Sequence, residues 1–274
     1  MSALLTKSGL TKIVIVIILI VSLFVGLSLG LVFTTQPTAP TASPTPSPVS
    51  RNCRSAVESS NGGYVIAGQD SGSVYLMEID SSGKVMWNRT YVAGEGHAVT
   101  QSSDGGYVVT GRLYDDIGFS KCNLVKTDTS GNLQWKKAYG VEGIGYSVIQ
   151  SSDGGYVIAG TSLIKTDSSG NLQWEKPYKG NAVIQLSDGG YLITGACGMD
   201  ASLVKTDSSG NLLWNKTYGR RNYHDTGYSI LQSSDDGYVI AGQTTYGGNG
   251  FSNAYLIKTD LSGNLEWEKT YGNI

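Results

Sequence analysis

The sequence predicts an all-β domain built from one four-stranded unit repeated five times. Three observations predict it: an iterated Asp-Gly-Trp motif, an iterated Gly-Tyr pair flanked by β-prone runs, and turn chemistry at fixed offsets between them.

The segment LIKTDSSGNLQW (163–174) recurs as LVKTDTSGNLQW (124–135), LVKTDSSGNLLW (203–214) and LIKTDLSGNLEW (256–267), with a looser copy, LMEIDSSGKVMW (76–87). Trp87, Trp135, Trp174, Trp214 and Trp267 are spaced by 48, 39, 40 and 53 residues. Tyr64, Tyr107, Tyr156, Tyr191 and Tyr238 mark the Gly-Tyr pair, and Tyr91, Tyr139, Tyr178, Tyr218 and Tyr271 lie four residues past each Trp. Periods of this length signal a repeat architecture, in which each unit buries its faces only against its neighbours.

Within one unit the elements follow in order. Strand a is like YSVIQS (146–151), and SDGG then makes a tight turn, because Asp and Gly tolerate the dihedrals it needs. Strand b is like GYVIAG (155–160), followed by a connection of variable length. Strand c is like SLIKTD (162–167) and strand d like NLQWEKPY (171–178). Between c and d, DSSGN fits a type I turn closed by a left-handed Gly.

Five units of about 44 residues with four strands each match the blades of a β-propeller. The expected fold is therefore a five-bladed β-propeller of four-stranded antiparallel blades over residues 51–274. Trp and Tyr would fill the seams between blades, each burying about 150–250 Å². A motif present in every unit is what scaffolding requires, whereas a catalytic residue occurs once. No strand is left over to cross the seam between first and last blades, so the expected ring closes by face packing alone. An open arc that dimerises and a flat β-solenoid are the alternatives.

The spacing D-x-x-G-x-x-x-W holds in all five copies: Asp80/Gly83/Trp87, Asp128/Gly131/Trp135, Asp167/Gly170/Trp174, Asp207/Gly210/Trp214 and Asp260/Gly263/Trp267. It resembles the tryptophan-docking repeat of quinoprotein (PQQ-dependent) dehydrogenase-like propellers. With DGGYVIAG and W-x-K-x-YG added, the repeat looks most like the repeat-rich surface propellers of archaea and bacteria. The resemblance implies the fold over 53–274. Quinoprotein enzymes typically carry eight blades, a vicinal Cys pair and a calcium site. With five repeats and no Cys-Cys here, no cofactor and no catalytic residue is carried over.

Residues 13–33 form an uncharged run of 21 residues, long enough at 1.5 Å per residue to cross roughly 30 Å of bilayer core. Lys7 and Lys12 precede it, so the positive-inside tendency places residues 1–12 in the cytoplasm and the rest outside. A cleaved signal peptide has a shorter apolar core, about 7–15 residues, so an uncleaved single-pass membrane anchor is expected. Residues 34–50 hold five of the six prolines among Thr, Ser and Ala, a composition that gives an extended stalk.

The formal net charge is −2, or about −4 past residue 50 once Lys7 and Lys12 are set aside, and it offers no footprint for nucleic acid. Cys53, Cys122 and Cys197 show no metal-ligand spacing. One disulfide with one free thiol and three isolated thiols both remain open. The variable d–a and b–c connections emerge on one face, and such loops on a rigid scaffold build recognition surfaces. The candidate ligand-binding residues are Arg112, Tyr114, Asp115, Asp116, Arg220, Arg221, Tyr223, His224, Asp225, Tyr246, Asn249 and Phe251. Aromatics with Arg and Asn suit protein or glycan contacts.

His97 aligns with Tyr146 and Tyr228 at the start of strand a and reads as a packing or rim residue. His224 beside Asp225 lacks a nucleophile, and no metal site is expected. Sequons at Asn88 and Asn215 fall on strand d, the outer edge of a blade, and are candidate glycosylation sites. The functional expectation is a membrane-anchored, extracytoplasmic binding or scaffold module without catalysis. An extracytoplasmic enzyme and a passive envelope element are the alternatives.

Overall fold

The computed structural model describes residues 51–114, 119–140, 142–246 and 252–272. The expected span (13–33), the stalk (34–50) and the candidate residues Asp115, Asp116, Asn249 and Phe251 lie outside the described residues. Every described regular element is a strand, and each strand pairs antiparallel with its sequence neighbour.

The first sheet has seven strands in sequence order: β1 (Arg51–Glu58), β2 (Tyr64–Asp70), β3 (Ser73–Ile79), β4 (Val85–Gln101), β5 (Tyr107–Tyr114), β6 (Ser120–Thr127) and β7 (Leu133–Tyr139). The 17-residue β4 serves twice. Its first part, from Val85 to Ala93, pairs with β3, and its second part, from Gly94 to Gln101, pairs with β5. The seven strands are thus two four-stranded units that share one continuous strand. The third unit is β8 (Gly145–Gln150), β9 (Tyr156–Gly160), β10 (Leu163–Thr166) and β11 (Leu172–Lys176). The fourth is β12 (Ala182–Gln185), β13 (Tyr191–Cys197), β14 (Asp200–Thr206) and β15 (Leu212–Tyr218). The fifth is β16 (Asp225–Ser233), β17 (Gly237–Thr244), β18 (Asn253–Thr259) and β19 (Leu265–Tyr271).

The repeated Asp sets the c–d turn through its side chain. Asp167 Oδ1 accepts the backbone N–H groups of Ser169 and Asn171 at 2.9 and 2.8 Å, and Asn171 Nδ2 donates to Oδ2 at 2.9 Å. Asp128, Asp207 and Asp260 repeat this ring of bonds. In the a–b turns, Asp104 and Asp153 each hold a buried lysine, Lys126 and Lys165, at 2.7 Å. The first unit swaps the chemistry: Asn61 donates to Glu78 at 2.7 Å.

Four apolar clusters fill the four seams between consecutive units. At each seam the Trp of one unit leans on the strand-b Tyr of the next: Trp87 on Tyr107, Trp135 on Tyr156, Trp174 on Tyr191 and Trp214 on Tyr238, with ring centroids 5.9–6.5 Å apart. The indole also lies over the turn Gly of the next unit. A Cβ added at Gly131, Gly170, Gly210 or Gly263 would fall 2.6–2.9 Å from Trp87, Trp135, Trp174 or Trp214 respectively. Those glycines have φ of 74–76°, a region L side chains avoid, so turn geometry and indole packing demand the same residue. The third anchor closes the joint, because Tyr91, Tyr139 and Tyr218 donate to the carbonyls of Gly131, Gly170 and Gly263 at 2.7–2.8 Å.

The fifth tryptophan departs from the expected pattern. Trp267 is 40% exposed and Tyr271 51%, while in the first unit Tyr64 is 43% exposed and a Cβ on Gly83 would meet nothing within 4 Å. Its counterparts Tyr107, Tyr156, Tyr191 and Tyr238 are at most 2% exposed. The indole fills a seam only where a following unit supplies the glycine and the tyrosine, and the last and first units do not meet in this way.

All three cysteines are free: Cys53 and Cys197 are exposed and Cys122 is buried. Burial pushes the Cys122 thiol up to about 12, which suppresses its thiolate. An Ellman titration of the native chain at pH 8 is expected to count two fast thiols, with the third released only by denaturant.

Candidate functional site

The strand order puts the starts of strands a and the ends of strands b at one edge of each unit. Among the described residues, two groups of side chains that break the repeat stand out there.

The first group centres on Glu95, which opens the second part of β4 at a position filled by Ile144 and Thr226 in other units. Its carboxylate is 9% exposed and fully engaged. Arg112 Nη2 donates to Oε1 at 2.7 Å, and the Tyr114 hydroxyl donates to the same oxygen at 2.6 Å. Arg54 Nη2, reaching across from β1, donates to Oε2 at 3.1 Å, and His97 Nε2 lies 3.0 Å from it. Burial works against the charge, but the bonds from Tyr114, His97 and Arg112 outweigh it and hold the carboxyl at about 2, below its ordinary range.

His97 stacks on Tyr146 of the next unit, centroids 5.7 Å apart and rings 7° from parallel. Burial pushes its pKa down, so the imidazole is neutral at pH 7. With Nε2–H directed at Glu95, the buried Nδ1 is left as an acceptor without a partner, and Arg112 Nε is a buried donor without one. One carboxylate faces two guanidinium groups, so the cluster carries an excess positive charge at an edge open to solvent through Arg54 and Tyr114.

The second group lies in the fifth unit. The Arg220 guanidinium stands 4.0 Å over the Tyr246 ring, and Tyr223 meets that ring edge-on at 5.0 Å. Arg220 Nε is 3.3 Å from Glu268, whose other oxygen accepts from the Tyr255 hydroxyl. Asp225 sits beneath this stack, 2% exposed, and accepts the Arg220 backbone N–H at 3.2 Å. Burial raises its carboxyl pKa, and one oxygen has no partner.

The structure therefore gathers Arg112 with Tyr114, and Arg220 with Tyr223 and Tyr246. Asp225 supports the second group from below. Arg221 and His224 are exposed, and the His224 backbone pairs with Thr245 at 2.8 and 3.0 Å without drawing its ring into the stack. Sequence reasoning missed Glu95 and Arg54, and it gave His97 a packing or rim role without its Glu95 partner. The available signal was the E-G-H at 95–97, which puts a charge where other repeats read I-G-Y or T-G-Y. Among the described residues no three His, Cys, Asp or Glu side chains gather as metal ligands. What both groups offer is a set of guanidinium and phenol donors on aromatic surfaces, suited to holding a polar or anionic ligand.

No protein-family model and no curated protein matches the chain. Solved structures do. A protein of unknown function from Bacteroides caccae superposes with TM-score 0.57 at 16% identity, over 80% of this chain and 82% of that one. The WD40 domain of Neurospora crassa Pan2 gives 0.58 at 9%, over 81% and 66%, and the Dos1 propeller 0.56 at 12%, over 81% and 59%. The fold is that of a β-propeller. This chain spans less than two thirds of the Pan2 and Dos1 domains, and at these identities the likeness carries the architecture alone.

Proposed function

We propose that this chain is a membrane-anchored, surface-exposed five-bladed β-propeller that binds protein or glycan through the edge carrying the Glu95 and Arg220 groups, and does so without catalysis. One observation carries the reading: Arg, Tyr, His and carboxylate groups that leave the repeat gather on that edge, while on the opposite edge the turns keep their backbone form even where, as at Asn61, a side chain changes. Five repeats of four strands each support the blade number. The apolar run at 13–33 and the Pro/Thr/Ser stretch at 34–50 support a cell-membrane location with the propeller outside. Asn88 and Asn215 are exposed on outer strands of their units, where a glycan would fit without disturbing a seam.

The test is binding of the full-length chain in nanodiscs to a panel of purified envelope glycans and surface proteins. At least one member is expected to bind, and Arg220→Ala combined with Tyr246→Ala is expected to weaken it tenfold or more. Binding unchanged by that pair, with an unaltered melting curve, would remove the Arg220 group from the site. A panel that yields no binder would count against the reading itself.

A further inference from the structure

The two ends of the sheet series are complementary halves of the joint that recurs inside the chain. The first three internal joints have the same parts, and the fourth differs in having Leu186 in place of the first serine. One unit supplies the Trp, the Tyr four residues on, and two serines at its a–b turn. The next supplies the turn Gly, the strand-b Tyr and a Gln. In the best-defined joints the Trp lies on the Gly, the first Tyr bonds its carbonyl, and the second Tyr bonds the first Ser, as Tyr107 does with Ser59 at 2.8 Å. The second Ser gives its backbone N–H to the Gln, as Ser103 does to Gln150 at 2.7 Å and Ser152 to Gln185 at 2.8 Å.

The fifth unit retains the first set unused in Trp267, Tyr271, Ser233 and Ser234. The first unit retains the second set unused in Gly83, Tyr64 and Glu58, the last a carboxylate able to accept as the Gln does. Trp267, Tyr271 and Tyr64 are exposed, and Lys269 Nζ stands 5.7 Å from the Trp267 ring.

We propose that the occupant of these faces is a second copy of this chain, its first unit docked on the fifth unit of its neighbour through the repeated joint. Both halves belong to one chain, so no other partner need be supplied. The contact is heterologous, and the number of copies follows from the turn per joint. Some internal contacts are not reproduced: Glu58 has no amide to donate as Gln101 Nε2 does to Ser60 across the first joint at 3.2 Å. Lys137, Lys176 and Lys216 reach Asn171, Asn211 and Asn264 across their joints at 3.1–3.4 Å, whereas Lys269 would meet Lys84. The end-to-end joint is therefore weaker than the internal ones, and salt strengthens it by screening that pair. The proposal stands apart from the ligand-binding reading, since it uses the seam faces and not the loop edge.

Two differently tagged full-length copies, co-expressed and solubilised in mild detergent, test it by co-purification. The parental pair is expected to co-purify. Trp267→Asp paired with itself and Tyr64→Asp paired with itself should each lose this. Trp267→Asp mixed with Tyr64→Asp should recover it, because one intact half survives on each copy. Lys84→Asn should raise the yield several-fold at low salt and remove the salt dependence. Both altered aromatics are exposed, so unchanged melting curves would certify the fold. Parental copies that never co-purify, or association that survives both aspartates and is therefore held elsewhere, would overturn the proposal.

Discussion

Replacing Trp135 with alanine is expected to destabilise the chain by about 3 kcal/mol, whereas Trp267→Ala in dilute protein should cost less than about 1 kcal/mol. The two residues occupy the same position in the same motif. What differs is the following unit: Trp135 has Tyr156 and Gly170 against its faces, and Trp267 has neither. The glycines give the reciprocal comparison. At Gly170 an alanine Cβ would fall 2.7 Å from the Trp135 ring on a backbone at φ 76°, so clash and dihedral strain add. At Gly83 the backbone is similar, φ 84°, but the space is open, and only the dihedral cost of about 1 kcal/mol remains. Urea unfolding of the four variants measures both contrasts. Equal losses at Trp135 and Trp267 would mean that the indole stabilises its own unit and not the seam.

The second large effect concerns Glu95. Its carboxyl falls from an ordinary value of 4.5 to about 2 in the folded chain. At about 1.4 kcal/mol per tenfold change in proton affinity, that amounts to about 3 kcal/mol of linked stability. Because the folded value is depressed, the contribution is fully present above about pH 4.5 and disappears as the pH falls towards 2. Glu95→Gln should therefore destabilise by about 3 kcal/mol at pH 6, and the gap to the parent should close near pH 2. His97 adds an acid loss of the same sign below about pH 6.5, since burial depresses its folded value, and a parallel series on a His97→Gln background separates it, because Glu95→Gln removes the bond that partly offsets that burial. Denaturant titrations across pH 2–7 decide the matter, and a gap that stays constant with pH would show that the charge of Glu95 is not what the cluster uses.

Much of this was legible because the repeat states it five times. The Asp that rings the c–d turn, the left-handed Gly and the Trp each follow from spacing and turn chemistry, and strand a of the third unit was placed within one residue. Two things were not legible. The first is the behaviour of Trp267: a motif specifies half of a joint, and whether the other half arrives is a property of the whole series. The second is the Glu95 group. Arg54, Glu95, Arg112 and Tyr146 are far apart in sequence, and only the pairing of β4 with β5 and the packing of neighbouring units bring them together. The Arg220 group was easier to see, since Arg220, Tyr223 and Asp225 share one insertion.

The strand that belongs to two units at once has a mechanical consequence. Elsewhere a loop separates one unit from the next and can absorb a rotation, but β4 runs through the first seam without interruption. A hinge there would have to break ladder bonds on both sides together. Opening by fraying is therefore easiest at the fifth unit and hardest at the first two, so that fused pair is the last part of the described structure to come apart.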